Sequence, residues 1–224
     1  MNRTRRMLIP AVCAFVLLGA QGCTEDPKAG EGVEAADQCD GSLSPAAAEA
    51  LEKITETKSF TPTTGGESVS EVAGRTAEEY ERLGPVNKGS GLRDSYDLCL
   101  VYPRGIRDRA DIRISFELAD PADAEGDEIP PGWAGYPMGS KALASKRKSL
   151  LFFECDASRM KDGGGDPPMI LGSLRKRSEA AGSGSEFMKA NMTVLHSASL
   201  ALAKELGCAA NGDLPETPAL ESVA

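Results

Sequence analysis

The chain has 224 residues, a formal charge of −9, 41% apolar side chains and only 5% aromatic ones. Its first 22 residues carry three arginines and no acid, so −9 less +3 leaves about −12 on the remainder. That acidity argues against general nucleic-acid binding, which needs Lys and Arg for phosphate contacts, and the roughly 200 remaining residues suit one domain with flexible ends.

Arg3, Arg5 and Arg6 form a basic opening, and residues 7–20 follow without a charge. A bilayer span needs ~20 apolar residues, so this shorter run predicts the core of a signal peptide over 1–22. Gly19-Ala20-Gln21-Gly22-Cys23 comes next and resembles the lipobox of bacterial lipoproteins. Small residues there admit a peptidase to the backbone, and the thiol is the acylation point. The resemblance implies cleavage after Gly22 and a diacylglyceryl group on Cys23. Two acyl chains hold a membrane stably where one does not, so the expected location is the extracytoplasmic face of the cell membrane. An ordinary secretory signal with a cysteine near its end is the plainer alternative. Thr4-Arg5-Arg6-Met7-Leu8-Ile9 also resembles a twin-arginine signal, which leaves the export route open.

Of six cysteines, Cys13 leaves with the signal and Cys23 is committed to lipid. Cys39, Cys99, Cys155 and Cys208 remain, and four cysteines in an oxidising compartment read as two disulfides. Zinc sites bring paired C-x2-C spacing, and these four stand far apart. Spacing alone leaves all three pairings open.

Residues 24–38 are rich in Gly, Ala and acids, with Val33 their one large apolar side chain. With Cys23 they predict a flexible acidic tether ahead of a domain over 39–209. Ser44-Pro45 is an N-cap followed by proline at the first helical position. Ala47, Ala48, Leu51 and Ile54 then recur at helical spacing, giving an amphipathic helix that ends near Lys58. Residues 60–74 hold at most one weak strand. Thr76 and Glu79 form a T-x-x-E capping box for a second short helix, stopped by Gly84-Pro85.

Residues 97–102 are apolar and β-prone. Ile112, Ile114, Phe116 and Leu118 alternate with Arg113, Ser115 and Glu117, the period of a strand with one wet face. Residues 104–109 join these two strands as a hairpin. A long connection over 120–144 precedes a central strand at 150–155, a loop at 161–168 and another strand at 169–174. Ser183 and Glu186 offer a third capping box. Phe187, Met188, Met192, Leu195, Ala198, Leu202 and Leu206 follow at steps of three and four, an amphipathic helix of about six turns. Residues 210–224 read as a flexible tail. The fold class is α+β: an antiparallel sheet packed by a long C-terminal helix and short N-terminal helices, with two disulfides.

Cys23, the run Cys39-Asp40-Gly41-Ser42-Leu43-Ser44, Cys99, the terminal run from Ala190-Asn191 to Glu205-Leu206-Gly207-Cys208, and Leu214-Pro215 together resemble Streptomyces-type secreted lipoproteins of actinomycetes. The resemblance implies a location and an architecture, and no activity. It implies pairing Cys39 with Cys99 and Cys155 with Cys208, against a nested pairing of Cys39 with Cys208 and Cys99 with Cys155.

No pattern calls for a cofactor or a metal. His196 is the one histidine, beside the apolar stripe of the last helix. The G-x-S-x-G elbow is absent, and S-x-x-K at Ser145–Lys148 and Ser158–Lys161 lacks a K-T-G partner. The acids at Asp120, Asp123, Glu125, Asp127 and Glu128 miss the calcium-loop template. Two features suggest binding. Trp133 and Tyr136 sit in a Pro- and Gly-rich loop of the kind that lines ligand grooves, or they pack that loop onto the domain. Lys146, Arg147 and Lys148, with Arg175, Lys176 and Arg177, are basic clusters that face anionic headgroups or wall polymers, or are solvated strand ends. The expected function is a membrane-tethered, non-catalytic domain that binds an envelope protein or a small ligand. A regulatory partner of an envelope sensor and an envelope hydrolase are the alternatives.

Overall fold

The structure, a computed structural model, describes residues 32–62, 65–86, 93–105, 110–160, 166–178 and 184–223. The signal segment with its twin-arginine pattern, Cys13, Cys23, tether residues 24–31, hairpin residues 106–109, loop residues 161–165 and Ser183 lie outside the described residues.

Alternating apolar residues build one antiparallel sheet of six strands. These are β1 (Tyr96–Val101), β2 (Ile112–Ala119), β3 (Ala134–Tyr136), β4 (Lys141–Ala144), β5 (Lys148–Glu154) and β6 (Met169–Lys176). Their spatial order is β1-β2-β6-β5-β4-β3, so the last strand made is a central one. Ile112, Ile114, Phe116 and Leu118 of β2, Leu151 and Phe153 of β5, and Ile170 and Leu174 of β6 are buried in the main core. The opposite face carries a smaller cluster of Ala119, Phe152 and Met169, edged by Ala124, Leu150 and Leu171.

The helices are α1 (Pro45–Thr55), α2 (Val69–Leu83), a single turn α3 (Pro121–Ala124) and α4 (Gly184–Leu206). α4 packs against β4, β5 and β6 on one side and against α1 and α2 on another. Every residue from 190 to 200 is therefore buried, and α4 is not the one-faced amphipath that its spacing predicts. Its small and hydroxyl residues are what fit beneath α1: Ser197 Oγ accepts from Ser44 N at 2.8 Å and donates to the Ser42 carbonyl at 3.0 Å. Among the described residues, no helix is long and apolar enough to cross a membrane.

Two disulfides pin the layers together. Cys39–Cys99 ties the turn before α1 to β1, and Cys155–Cys208 ties the end of β5 to the end of α4.

Four local expectations differ from the structure. α2 starts at Val69, and its capping box is Ser68 with Glu71. Thr76 and Glu79 lie inside the helix, where Thr76 Oγ1 donates to the Val72 carbonyl. Glu79 is buried and accepts from Asp94 N and the Tyr96 hydroxyl. Both boxes share one pattern, and Val72 and Ala73, buried one turn earlier, decide for the upstream one. The connection over 120–144 contains α3, β3 and β4, strands too short to display an alternation. Residues 32–38 belong to the domain: Val33 and Phe60 exchange two backbone hydrogen bonds of 2.9 Å, and Ala35 and Gln38 are buried. The C-terminal residues lie on the body, with Leu214 buried and Val223 N donating to the Gly135 carbonyl.

Candidate functional site at one end of the sheet

Sheet register gathers basic side chains that are far apart in sequence. Arg113 of β2 pairs with Arg175 of β6, and Arg175 pairs with Lys148 of β5. Directly paired residues point to the same face, here the face away from α4. Neighbouring strands lie about 4.8 Å apart, so the three Cα positions span about 10 Å. Ser115 pairs with Ser173 in the next inward row. Arg113 Nε donates to Asp97 Oδ1 at 2.5 Å, with both side chains partly exposed. Burial first, and then the neighbouring Arg175, push the Lys148 ammonium below its ordinary range. Burial likewise holds the Glu117 carboxyl above its ordinary range, against the pull of Arg175 and Lys148.

The hairpin turn from Ser145 to Lys148 extends this end. Ser145 N donates to the Lys148 carbonyl at 2.7 Å, and Lys148 N donates back to Ser145 Oγ. Lys146 and Arg147 sit exposed on the turn. Arg147 Nη2 donates to the Arg177 carbonyl at 2.6 Å, which fixes one basic cluster to the other. Trp133 precedes the Ala134–Ala144 pair, so it stands beside the same turn, half-buried.

Two of the residues expected to bind lie elsewhere. Lys176 points to the helix side and is 6% exposed. Its Nζ donates to the Ile54 carbonyl at the C-terminus of α1, where a cation complements the helix dipole. Burial lowers its pKa, while Asp111 and Glu56 oppose that shift. Tyr136 pairs with Ala142 and shares its burial in the core, where desolvation raises its phenol pKa. The period of two turns each of these residues away from its neighbours. Arg113 is the basic residue missed from sequence. Its wet position was visible, but its place beside Arg175 depends on a register between strands 60 residues apart.

The opposite end of the sheet is acidic. β2 and β5 run out into Asp120 and Glu154, and Asp166 precedes β6. A 340 Å³ cleft there is lined by Tyr80, Leu118, Asp120, Glu125, Pro168 and Met169. A 400 Å³ cleft at the β3–β4 edge is lined by Ile129, Gly135, Tyr136, Lys141, Leu143 and Val223. His196 is buried within α4 rather than at its boundary. Burial lowers its pKa, and a hydrogen bond to the Pro215 backbone opposes that. Among the described residues its Nε2 meets no partner. No protein-family model, curated protein or solved structure matches the chain.

Proposed function

We propose that the chain is a lipid-anchored, extracytoplasmic domain that binds an anionic partner, without catalysis, through the basic end of its sheet. The row Arg113–Arg175–Lys148 carries this reading. Like charges directly opposite one another destabilise an antiparallel pair. A sheet that keeps three in line bears that cost where a negative partner offsets it. Asp97 pairs with Arg113, and the half-buried Glu117 lies in the field of Arg175 and Lys148, so three cations face two acids and the row keeps a positive excess to act on the partner. The anchor rests on the charge-free segment over 7–20 and on the small residues before Cys23.

Two measurements test the two halves. Mass spectrometry of the protein from its native membrane is expected to find an acylated Cys23 at the N-terminus; an unacylated thiol there refutes the anchor. Titration with a soluble polyanion, followed by Trp133 emission, is expected to give saturable binding that weakens with salt and is lost in Arg113→Gln/Lys148→Gln/Arg175→Gln. Binding that ignores this triple change refutes the site.

A further inference from the structure

We infer that the anionic partner is the headgroup layer of the membrane that carries the anchor, and that the domain stands on it basic end down. This inference rests on the reading of Cys23 as lipidated. Three placements carry it.

The first is where the chain enters the fold. Val33 bridges Phe60, and Phe60 bridges Pro103, just beyond the end of β1. Val101 at that end pairs with Ile112, the neighbour of Arg113. The described chain thus begins at the β1 edge, at the same end of the sheet as the basic row. Nine steps along the chain separate Cys23 from Gly32. Whatever their path, they reach at most about 30 Å, little more than the roughly 24 Å width of six strands. A lipid on Cys23 would keep the body within that reach of the bilayer and leave its orientation to the side chains that face it.

The second placement is the polarity of the body. Arg113, Lys146, Arg147, Arg175 and Arg177 are exposed at the entry end, and Lys148 is half-buried there. Of the acids at this end, Asp97 accepts from Arg113, Asp111 is buried and accepts from Ser178, Glu56 faces Lys176 and Glu117 faces Arg175 and Lys148, while Glu34 and Asp37 are exposed beside the chain entry. At the far end Asp120, Asp123, Glu125, Glu154, Asp156 and Asp166 lead away from the strands. An anionic leaflet attracts basic side chains only within about a Debye length, so a tethered body with these poles turns its basic end inward.

The third placement is Trp133. It lies at the other corner of the same end, half-buried, and an aromatic ring with a polar N–H suits the headgroup level. A wall polymer would use the cations equally well. It gives no reason for the entry point and the tryptophan to share their end.

Trp133 is the only tryptophan and serves as the probe. The lipidated mature protein is reconstituted into phosphatidylcholine vesicles with or without phosphatidylglycerol, each carrying a nitroxide on some headgroups. Trp133 is expected to be quenched in the anionic vesicles and to recover in neutral vesicles, in high salt and in Arg113→Gln/Lys148→Gln/Arg175→Gln. Each charge removed is expected to lower the docked-to-undocked ratio about five-fold, and the triple change roughly a hundred-fold. Unquenched Trp133 on anionic vesicles that still hold the protein overturns the docking and leaves the anchor standing. Quenching equal in neutral and anionic vesicles overturns the role of the basic row. Protein that floats with neither vesicle overturns the anchor itself. A Trp133 response to soluble anionic wall fragments, with none to anionic vesicles, reassigns the row to the polymer and overturns the inference.

Discussion

Gly172 lies in β6 between Phe116 of β2 and Leu151 of β5, on the face that α4 covers. A methyl group there would stand 2.9 Å from Phe116 Cε1, 2.9 Å from Ser199 Oγ and 3.3 Å from Leu195 Cδ1. Carbon contacts settle near 3.5–4.0 Å, so Gly172→Ala forces overlaps of about half an ångström or more. Phe116, Leu195 and Ser199 are all 0% exposed and have nowhere to retreat. Overpacking of this kind costs ~1–3 kcal/mol, and the restrained backbone returns ~0.5–1 kcal/mol. The net expectation is ~1–2 kcal/mol of destabilisation. For a domain of this size that is a fall in Tm of about 2–8 °C, read by thermal melting followed by circular dichroism. Ser199 supplies the control, because its buried hydroxyl finds no partner among the described residues. Ser199→Ala removes that hydroxyl and is expected to be neutral or to stabilise by up to ~1 kcal/mol. In Gly172→Ala/Ser199→Ala one of the two tightest contacts is gone, so the double variant should beat the sum of the singles by ~0.5 kcal/mol or more. Unchanged stability in Gly172→Ala, or strict additivity with Ser199→Ala, would show that α4 shifts freely and refute the tight packing described above.

Other expectations follow from the buried polar groups and the bridges. His196 has a folded-state pKa below its ordinary 6.5, so as pH falls through 6.5 the unfolded chain takes up a proton that the native state resists. Stability should therefore drop with acidity from about that pH, and His196→Gln should flatten the drop in urea titrations between neutral and mildly acidic pH. The Tyr96 phenol is pushed up to about 12 by burial and by Glu79; Glu79→Gln should lower it toward 10 in a spectrophotometric titration and, by weakening the bonds to Asp94 N and Tyr96, cost ~1–3 kcal/mol. The bridges span 60 and 53 residues, so chain entropy assigns about 4 kcal/mol to each. Cys39→Ser/Cys99→Ser and Cys155→Ser/Cys208→Ser should therefore lower the urea midpoint by similar amounts, and a thiol assay on unreduced wild-type protein without Cys23 should find none free.

The elements legible in the sequence are those whose burial repeats with a clean period. β2 shows its alternation over Ile112, Ile114, Phe116 and Leu118, and α1 announces itself through Ser44-Pro45. The pairing of Cys39 with Cys99 and of Cys155 with Cys208, suggested by resemblance, is the pairing in the structure. β3 and β4 are three and four residues long, too few to separate from a loop. The anchor pattern and Cys23 lie outside the described residues, so the basic end is the part of the functional reading that the geometry addresses. Its basic residues were visible as two separate clusters, Lys146, Arg147 and Lys148, and Arg175, Lys176 and Arg177. Their union in one row was not, because side-chain parity sends Lys176 inward while Arg175 and Arg177 stay exposed, and because Arg113 comes from a strand made 60 residues earlier.

The place of α4 also bears on when this protein can fold. α1 lies against a helix that is synthesised some 130 residues later, and the sheet waits for β6 to join its two halves. Until α4 emerges, α1 lacks the helix it packs on, although β1, β2 and α2 can already meet and Cys39 can already reach Cys99. The two disulfides divide along the same line: Cys39–Cys99 closes within the early part of the chain, and Cys155–Cys208 closes only once α4 is complete.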